Sequence, residues 1–152
     1  MSLKIKVPLI LVSGVIIFGA LVVPFFTVPV SETVIDVFFP PPVFSRQYTW
    51  WDFSIEDGST VIIYYLCDSE INAYLFTENQ FNNFQNVGEN LCIDSNKHEV
   101  SGTITQYLES GGNYVFVISN YSFEDHAGID SVTVTKTREV KITLLQKITG
   151  DY

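Results

Sequence analysis

Apolar and polar residues alternate with period two along most of the chain beyond residue 47, which is the pattern of strands with one buried face. Segments rich in turn-forming residues, such as EDGS and ESGG, separate the alternating runs. The pattern predicts a mainly β fold, an antiparallel jelly-roll-like sandwich. The predicted strands are Tyr48–Ile55, Thr60–Cys67, Glu70–Phe76, His98–Leu108, Asn113–Tyr121, Ile129–Lys136 and Glu139–Lys147.

One segment, TENQFNNFQN, departs from the alternation and predicts a short helix. Thr77 precedes Gln80 by three residues, the spacing of a capping box at a helix N-terminus. Phe81 and Phe84 follow at a spacing of three and would share one helix face. We expect this helix to fold over an edge of the sandwich.

An uncharged apolar run extends from residue 7 to residue 26, or to residue 30 with its fringe. A helix of about 20 residues is about 30 Å long and crosses the hydrocarbon core of a bilayer. A cleaved signal peptide is the alternative, but its apolar region is about 7–15 residues long, and cleavage after Ala20 would place Phe18 where a small residue is needed. The sequence therefore predicts a cytoplasmic tip and a transmembrane signal anchor over residues 1–30, with residues 7–30 in contact with membrane lipid.

The residues that flank this run predict its orientation. Lys4 and Lys6 precede it, and the first basic residue after it is Arg46. The positive-inside rule then places the N-terminus in the cytoplasm and the rest of the chain outside, with Phe25 and Phe26 at the outer boundary. We expect a single-pass protein of the cell membrane.

The segment VFFPPPVF follows the predicted anchor. Consecutive prolines favour a stiff, extended polyproline conformation, so residues 31–45 are interpreted as a spacer or, alternatively, as a first strand over Thr33–Phe39 and a turn. Residues 46–152 are predicted to form the extracytoplasmic sandwich.

The charge of the chain is unevenly distributed. From residue 31 onward there are 17 acidic and six basic residues, a net charge of −11. Such a domain repels phosphate backbones and anionic lipid head groups, which argues against binding to nucleic acid.

Three segments resemble a known family: YTWWDFSIEDGSTVIIYY, INAYLFTENQFNNFQ and LESGGNYVFVISNYS. Together they are similar to the GOLD (Golgi-dynamics) β-sandwich over about residues 48–136, with the pre-peptidase C-terminal domains of secreted proteases as the second resemblance. In such domains a segment like that of Gly112, Tyr114 and Asn120 forms one arm of a hairpin. The resemblance implies a sandwich used for interaction and not for catalysis.

The two cysteines, Cys67 and Cys92, both lie in the predicted outer domain. Two thiols in one small extracytoplasmic domain usually pair, so we expect a disulfide, with two packed free thiols as the alternative. Zinc binding is not expected, because no CxxC pair is present.

Signatures of catalysis are missing from the sequence, which has no GxSxG, HExxH, phosphate-binding loop or GxGxxG. The acids around His126 and His98 match no ordered ligand template and are interpreted as solvated loop residues. We therefore expect no enzyme, no cofactor and no metal site. Asn120 begins one N-x-S sequon.

Strand alternation places several aromatic residues on a second face. In YTWWDFSIE the core face carries Trp51, Phe53 and Ile55, which leaves Tyr48 and Trp50 on the other side. In INAYLF the same argument leaves Tyr74 and Phe76 outside the core, and the run TVIIYYL is apolar on both faces, so both are expected to be covered. The sequence thus favours a protein-interaction module or accessory subunit with these four aromatics as its surface. The alternative is a carbohydrate-binding module that uses exposed aromatics.

Overall fold

The computed structural model describes residues 25–87, 91–121 and 126–150 of the chain. In that part the protein is mainly β with two short helices, so the prediction of a β protein is confirmed. The strands are β1 (Phe25–Phe38), β2 (Val43–Phe44), β3 (Tyr48–Ile55), β4 (Ser59–Thr77), β5 (Asp94–Leu108), β6 (Gly112–Ser119), β7 (His126–Ala127) and β8 (Ile129–Thr143). The helices are α1 (Glu78–Val87) and α2 (Leu144–Thr149).

The described residues divide into two compact units, one within residues 29–139 and a smaller one made of residues 25–28 and 140–150. The hydrophobic clusters around the central strands belong to the larger unit. In the smaller unit, α2 starts with a capping box between Thr143 and Gln146. There the Lys147 ammonium lies 4.3 Å from the centroid of the Phe26 ring.

Six strands form one sheet in the order β1-β8-β4-β6-β3, with β5 paired to the other edge of β4, and the pairings among β3, β4, β5, β6 and β8 are antiparallel. The N-terminal half of β4 lies between β8 and β5, whereas its C-terminal half lies between β6 and β5. The sheet curls at this point, and the same strand contributes to both layers. Strands β2 and β7 form a separate two-stranded sheet.

A turn was predicted between Thr60–Cys67 and Glu70–Phe76, but β4 runs through it as one strand of 19 residues. The register with β5 shifts between Leu66 and Asn72, so the strand is irregular there, as at a β-bulge, but it does not turn. Bulges bend a strand and increase its twist, so the polar DSE segment marks the bend between the two layers.

The main core lies between the two layers and follows the period-two alternation. From β4 it receives Val61, Ile63 and Tyr65 in one layer and Ile71, Ala73 and Leu75 in the other. From the other strands it receives Phe53, Ile55, Ile104, Leu108, Tyr114, Phe116, Ile118, Ile129, Val132 and Val134. Each of these strands therefore has one face in the main core, and in β6 and the C-terminal half of β4 the opposite face is buried as well.

Helix α1 starts where the capping-box spacing predicts. The Gln80 backbone N–H donates to Thr77 Oγ1 at 3.2 Å, and the Thr77 backbone N–H donates to Gln80 Oε1 at 2.9 Å. Phe81 is buried and Phe84 is half-buried on the face that α1 turns towards β4 and β6. The helix thus covers the outer face of the layer formed by β3, β6 and the C-terminal half of β4.

Most of the predicted membrane anchor lies outside the described residues. This part includes Lys4, Lys6 and the apolar run up to residue 24. The last part of the predicted anchor, residues 25–30, forms the start of strand β1 and not a helix, because FFTVPVSETVIDVF combines β-branched residues with period-two alternation. No helix in the described ranges is long and apolar enough to cross a membrane. Of the two alternatives for residues 31–45, the structure has a strand as far as Phe38, followed by the prolines that lead into β2.

Candidate interaction surfaces

Two of the four aromatics predicted to form a partner surface are buried. Tyr74 is 5% exposed and Phe76 is fully buried, in a cluster with Phe81, Val115 and Val117 beneath α1. They point away from the main core, as the alternation predicts, but the chain covers them with its own helix. They are therefore not accessible to a partner while α1 is in place.

Tyr48 and Trp50 lie at the margin of this cluster. Trp50 is 44% exposed, and its ring centroid lies 5.6 Å from that of Phe81 with the planes at 45°. Tyr48 is half-buried, 5.8 Å from Trp50 and at 46° to it. These rings do not form a coplanar platform on which a sugar ring could stack along a row.

A shallow polar cleft of about 300 Å³ opens on the outer face of β3 and β6, next to the start of α1. Its polar side chains are Asp52, Ser54, Glu78 and Asn113. Ser54 Oγ donates to Asn113 Oδ1 at 2.7 Å, and Asn113 Nδ2 donates to Glu78 Oε2 at 3.2 Å. The polar groups of the cleft thus largely satisfy one another.

The outer face of the other layer presents a regular array of uncharged side chains, which we call the threonine face. It has four cross-strand rows, each with one residue from β8, β4 and β5. The rows are Thr137–Thr60–Tyr107, Thr135–Ile62–Thr105, Thr133–Tyr64–Thr103 and Ser131–Leu66–Ser101.

Large apolar side chains on the threonine face are open to solvent. Ile62 is 39% exposed, Tyr64 is 45% exposed and Tyr107 is 58% exposed. The expectation that TVIIYYL would be covered on both sides is therefore wrong. Only the face that carries Val61, Ile63 and Tyr65 is buried. Exposed apolar groups that adjoin one another on a flat surface are a mark of interaction sites.

None of the twelve side chains of the threonine face is charged, although the chain has a formal net charge of −9. At its rim, the carboxylate of Asp36 on β1 accepts a hydrogen bond of 3.2 Å from Thr133 Oγ1. The alternating threonines of VTVTKT and GTITQY could have indicated this face from the sequence. The exposure of Ile62 and Tyr64 between them could not, because it depends on what covers the sheet.

The disulfide expected between Cys67 and Cys92 is not present, and both residues are free thiols. Cys67 belongs to the main core between the two layers. Cys92 packs instead against the separate cluster beneath α1. The pKa of the Cys67 thiol is raised to about 12, mainly by burial and to a smaller extent by the negative charges of Asp68 and Asp130.

The loop acids and histidines are dispersed in the structure. His126 is exposed in β7, and its neighbours at 124 and 125 lie outside the described residues. His98 stacks edge-on against Tyr121 at 4.2 Å, and its backbone N–H donates to Asn72 Oδ1. Within the described ranges no group of three or more His, Cys, Asp or Glu side chains could hold a metal ion.

The sequon residue Asn120 has a structural role. Its side chain is buried, and its Nδ2 donates to the Val43 carbonyl at 3.1 Å. It therefore ties the end of β6 to β2 and is not presented at the surface for modification.

Neither a protein-family model nor a curated protein sequence matches the chain, so the resemblance to GOLD and pre-peptidase C-terminal domains is not shown. Similar solved structures include PliG of Aeromonas hydrophila, a periplasmic inhibitor of g-type lysozyme, at 11% identity, a TM-score of 0.44 and coverage of 76% of this chain and 88% of that one. Another is the C-terminal CBM6 of LamC, a laminarinase of Zobellia galactanivorans, at 12% identity, a TM-score of 0.38 and coverage of 72% and 99%. At these scores, neither likeness indicates what this chain binds.

Proposed function

We propose that this chain is an extracytoplasmic protein-interaction module, held at a cell membrane by its N-terminal apolar run, and that it acts as an accessory subunit of a membrane or envelope complex. The observation that carries the proposal is the threonine face, with Ile62, Tyr64 and Tyr107 exposed on an uncharged sheet surface. In this role the chain is not an enzyme and uses no cofactor.

The composition of the threonine face fits a protein partner. Interface centres are depleted in charged residues and enriched in tyrosine, which supplies a large contact area at a low cost in side-chain entropy. Tyr64 lies on the central strand of the face, between Thr133 and Thr103, where water would be excluded most completely on binding. We assign Tyr64 and Ile62 as the central contacts and the hydroxyls as the surrounding polar groups.

The proposed anchor rests on the sequence, which has no charged residue between Lys6 and the start of β1. The test is fractionation of the full-length protein, followed by mass spectrometry of its N-terminal peptide. An intact N-terminus that resists carbonate extraction supports the anchor. A soluble mature protein that begins after Ala20 would show that the apolar run is a cleaved signal peptide.

A carbohydrate ligand is the alternative, and an exposed row of two or three coplanar rings would favour it. The Trp50 ring is instead tilted by about 45° to the rings of both Tyr48 and Phe81, and the polar groups of the neighbouring cleft bind one another. Capture of a polysaccharide is therefore one of the results that would refute the proposal.

The test of the interaction module is site-specific photo-crosslinking in the full-length chain within intact membranes. A photoreactive residue in place of Tyr64 should give a polypeptide adduct of discrete mass, and Ile62→Lys should abolish it. The matched control is the same residue in place of Gln85, which is exposed on α1. An adduct with polysaccharide, or no adduct from position 64 above the level from position 85, would refute the proposal.

A further inference from the structure

We infer that the partner of the threonine face is a second copy of this chain, an inference that rests on the proposed interaction function. The two copies would meet face to face about a two-fold axis that lies in the plane of the interface, perpendicular to β4 and between Ile62 and Tyr64. A two-fold interface is isologous, so Tyr64 of one protomer would cover Ile62 of its partner, and the reverse.

Charge restricts where two copies can approach. Residues from 31 onward carry a net charge of −11, so two copies repel each other wherever their acids face. The threonine face is a surface of the larger unit on which twelve neighbouring side chains carry no charge at all. A partner with a basic surface would instead be expected to bind a face that carries acidic residues.

The hydroxyls make the face complementary to itself. Each serine or threonine hydroxyl both donates and accepts a hydrogen bond, so a row of them can pair with an identical row. A row of lysines or of carboxylates cannot do this. The arrangement of Thr133, Thr135 and Thr137 on β8 and Thr103 and Thr105 on β5, with the apolar residues of β4 between them, places hydroxyls on both sides of the proposed axis.

The area of the face predicts that the association is weak in solution. Seven residues along three strands cover about 23 Å by 14 Å, or about 300 Å² in flat projection. A stable interface buries about 800 Å² per partner, so this contact alone is small. Confinement of two chains to one membrane raises their effective concentration, which allows a weak contact to be occupied.

Salt gives the self-association a distinct signature. Because the two copies carry like charges, screening by salt reduces their repulsion and should increase the fraction of dimer. A complex with a basic partner would weaken under the same conditions.

The experiment uses the full-length chain in membranes with Ile62→Cys in a Cys92→Ser background, so that the buried Cys67 is the sole native thiol. A short bis-maleimide linker should join two copies, and the dimer should increase at least twofold when the salt concentration rises from about 50 to 500 mM, since the Debye length falls below 10 Å. Adding Tyr64→Lys should remove the dimer. The matched control, Gln85→Cys on α1, should stay monomeric.

The outcomes separate this inference from the proposed function. If Ile62→Cys gives no dimer while the photoreactive residue at position 64 captures a different polypeptide, the inference of a second copy is wrong. The proposal of an interaction module would still stand. If neither position captures any polypeptide, both proposals fail. Dimers formed equally well by Ile62→Cys and Gln85→Cys would reflect crowding and would overturn the inference. Unchanged circular dichroism and melting temperature of Ile62→Cys would exclude misfolding as the cause.

Discussion

Trp50 and Trp51 are neighbours in sequence but contact different hydrophobic clusters on opposite faces of β3. Trp51 stacks on Phe116 of the main core with the ring centroids 6.0 Å apart. Trp50 meets Phe81 of α1 at 5.6 Å and stays half-exposed. The same residue type therefore contributes differently to stability at two adjacent positions.

We predict that Trp51→Ala destabilises the protein by about 3 kcal/mol, the lower end for loss of a large aromatic from a core, and that Trp50→Ala costs about 1 kcal/mol. Chemical denaturation of both variants, followed by circular dichroism, measures the difference. Equal losses would mean that Trp50 is as important to packing as Trp51, contrary to its exposure.

Gly102 pairs directly across from Tyr65, and a Cβ on Gly102 would lie 2.5 Å from the Tyr65 hydroxyl oxygen. Tyr65 is fully buried, so it cannot swing out into solvent. We predict that Gly102→Ala costs about 2 kcal/mol, the typical cost of overpacking a core. The penalty should be smaller in a Tyr65→Phe background, which lacks the hydroxyl.

A double-mutant cycle of these two substitutions tests the contact. The control is Thr103→Ala, at the next position of β5 on the outer face, which should show no coupling to Tyr65→Phe. If Gly102→Ala lowered the free energy of unfolding equally in the wild-type and Tyr65→Phe backgrounds, the loss would not come from contact with the Tyr65 hydroxyl.

The two thiols should differ strongly in reactivity. The thiolate is the reactive form, and a pKa of about 12 leaves Cys67 almost entirely protonated at neutral pH. Cys92 is half-buried and should be alkylated by iodoacetamide in the folded protein while Cys67 stays unmodified. Peptide mass spectrometry at pH 7.5 reports both sites, and denaturation should make both react. Modification of Cys67 at the rate of Cys92 would contradict its position in the core.

Glu56 forms an ion pair with Lys136, whose ammonium also contacts Glu32, both at 3.2 Å. The pKa of the Glu56 carboxyl is lowered, mainly by the hydrogen bond from Lys136 and to a smaller extent by a backbone hydrogen bond. Burial of Lys136 lowers the pKa of its ammonium, but the hydrogen bonds to Glu56 and Glu32 outweigh this and raise it overall. Both shifts favour the charged pair.

A lowered carboxyl pKa adds stability that is present above the ordinary glutamate pKa of about 4.3 and is lost as the pH falls through the folded value. We therefore predict that the melting temperature of the wild-type protein falls more steeply than that of Glu56→Gln on acidification below about pH 4.5. Glu139→Gln, at an exposed position of β8, serves as the control and should follow the wild type. Parallel curves for the wild type and Glu56→Gln would refute the role of the pair.

Local signals in the sequence were sufficient for some elements. The alternation in YTWWDFSI predicts the bounds of β3, and the Thr77–Gln80 spacing predicts the start of α1, because both depend on residues close in sequence. Non-local features were not predicted. Whether Tyr74 or Tyr64 is covered depends on where α1 packs, and whether Cys67 meets Cys92 depends on which cluster each joins. The continuity of β4 through its bulge depends on pairing with β5, about 30 residues away.

The sharing of β4 between both layers has a consequence for how the protein folds. Neither layer can be completed before this strand is in place, so the two halves of the sandwich are not independent folding units. Its partners β6 and β8 come from distant parts of the chain, and such long loops must close before their contacts stabilise anything. The chain is therefore expected to fold slowly and in a single cooperative step, with a transition state that requires the bend of β4 to be formed.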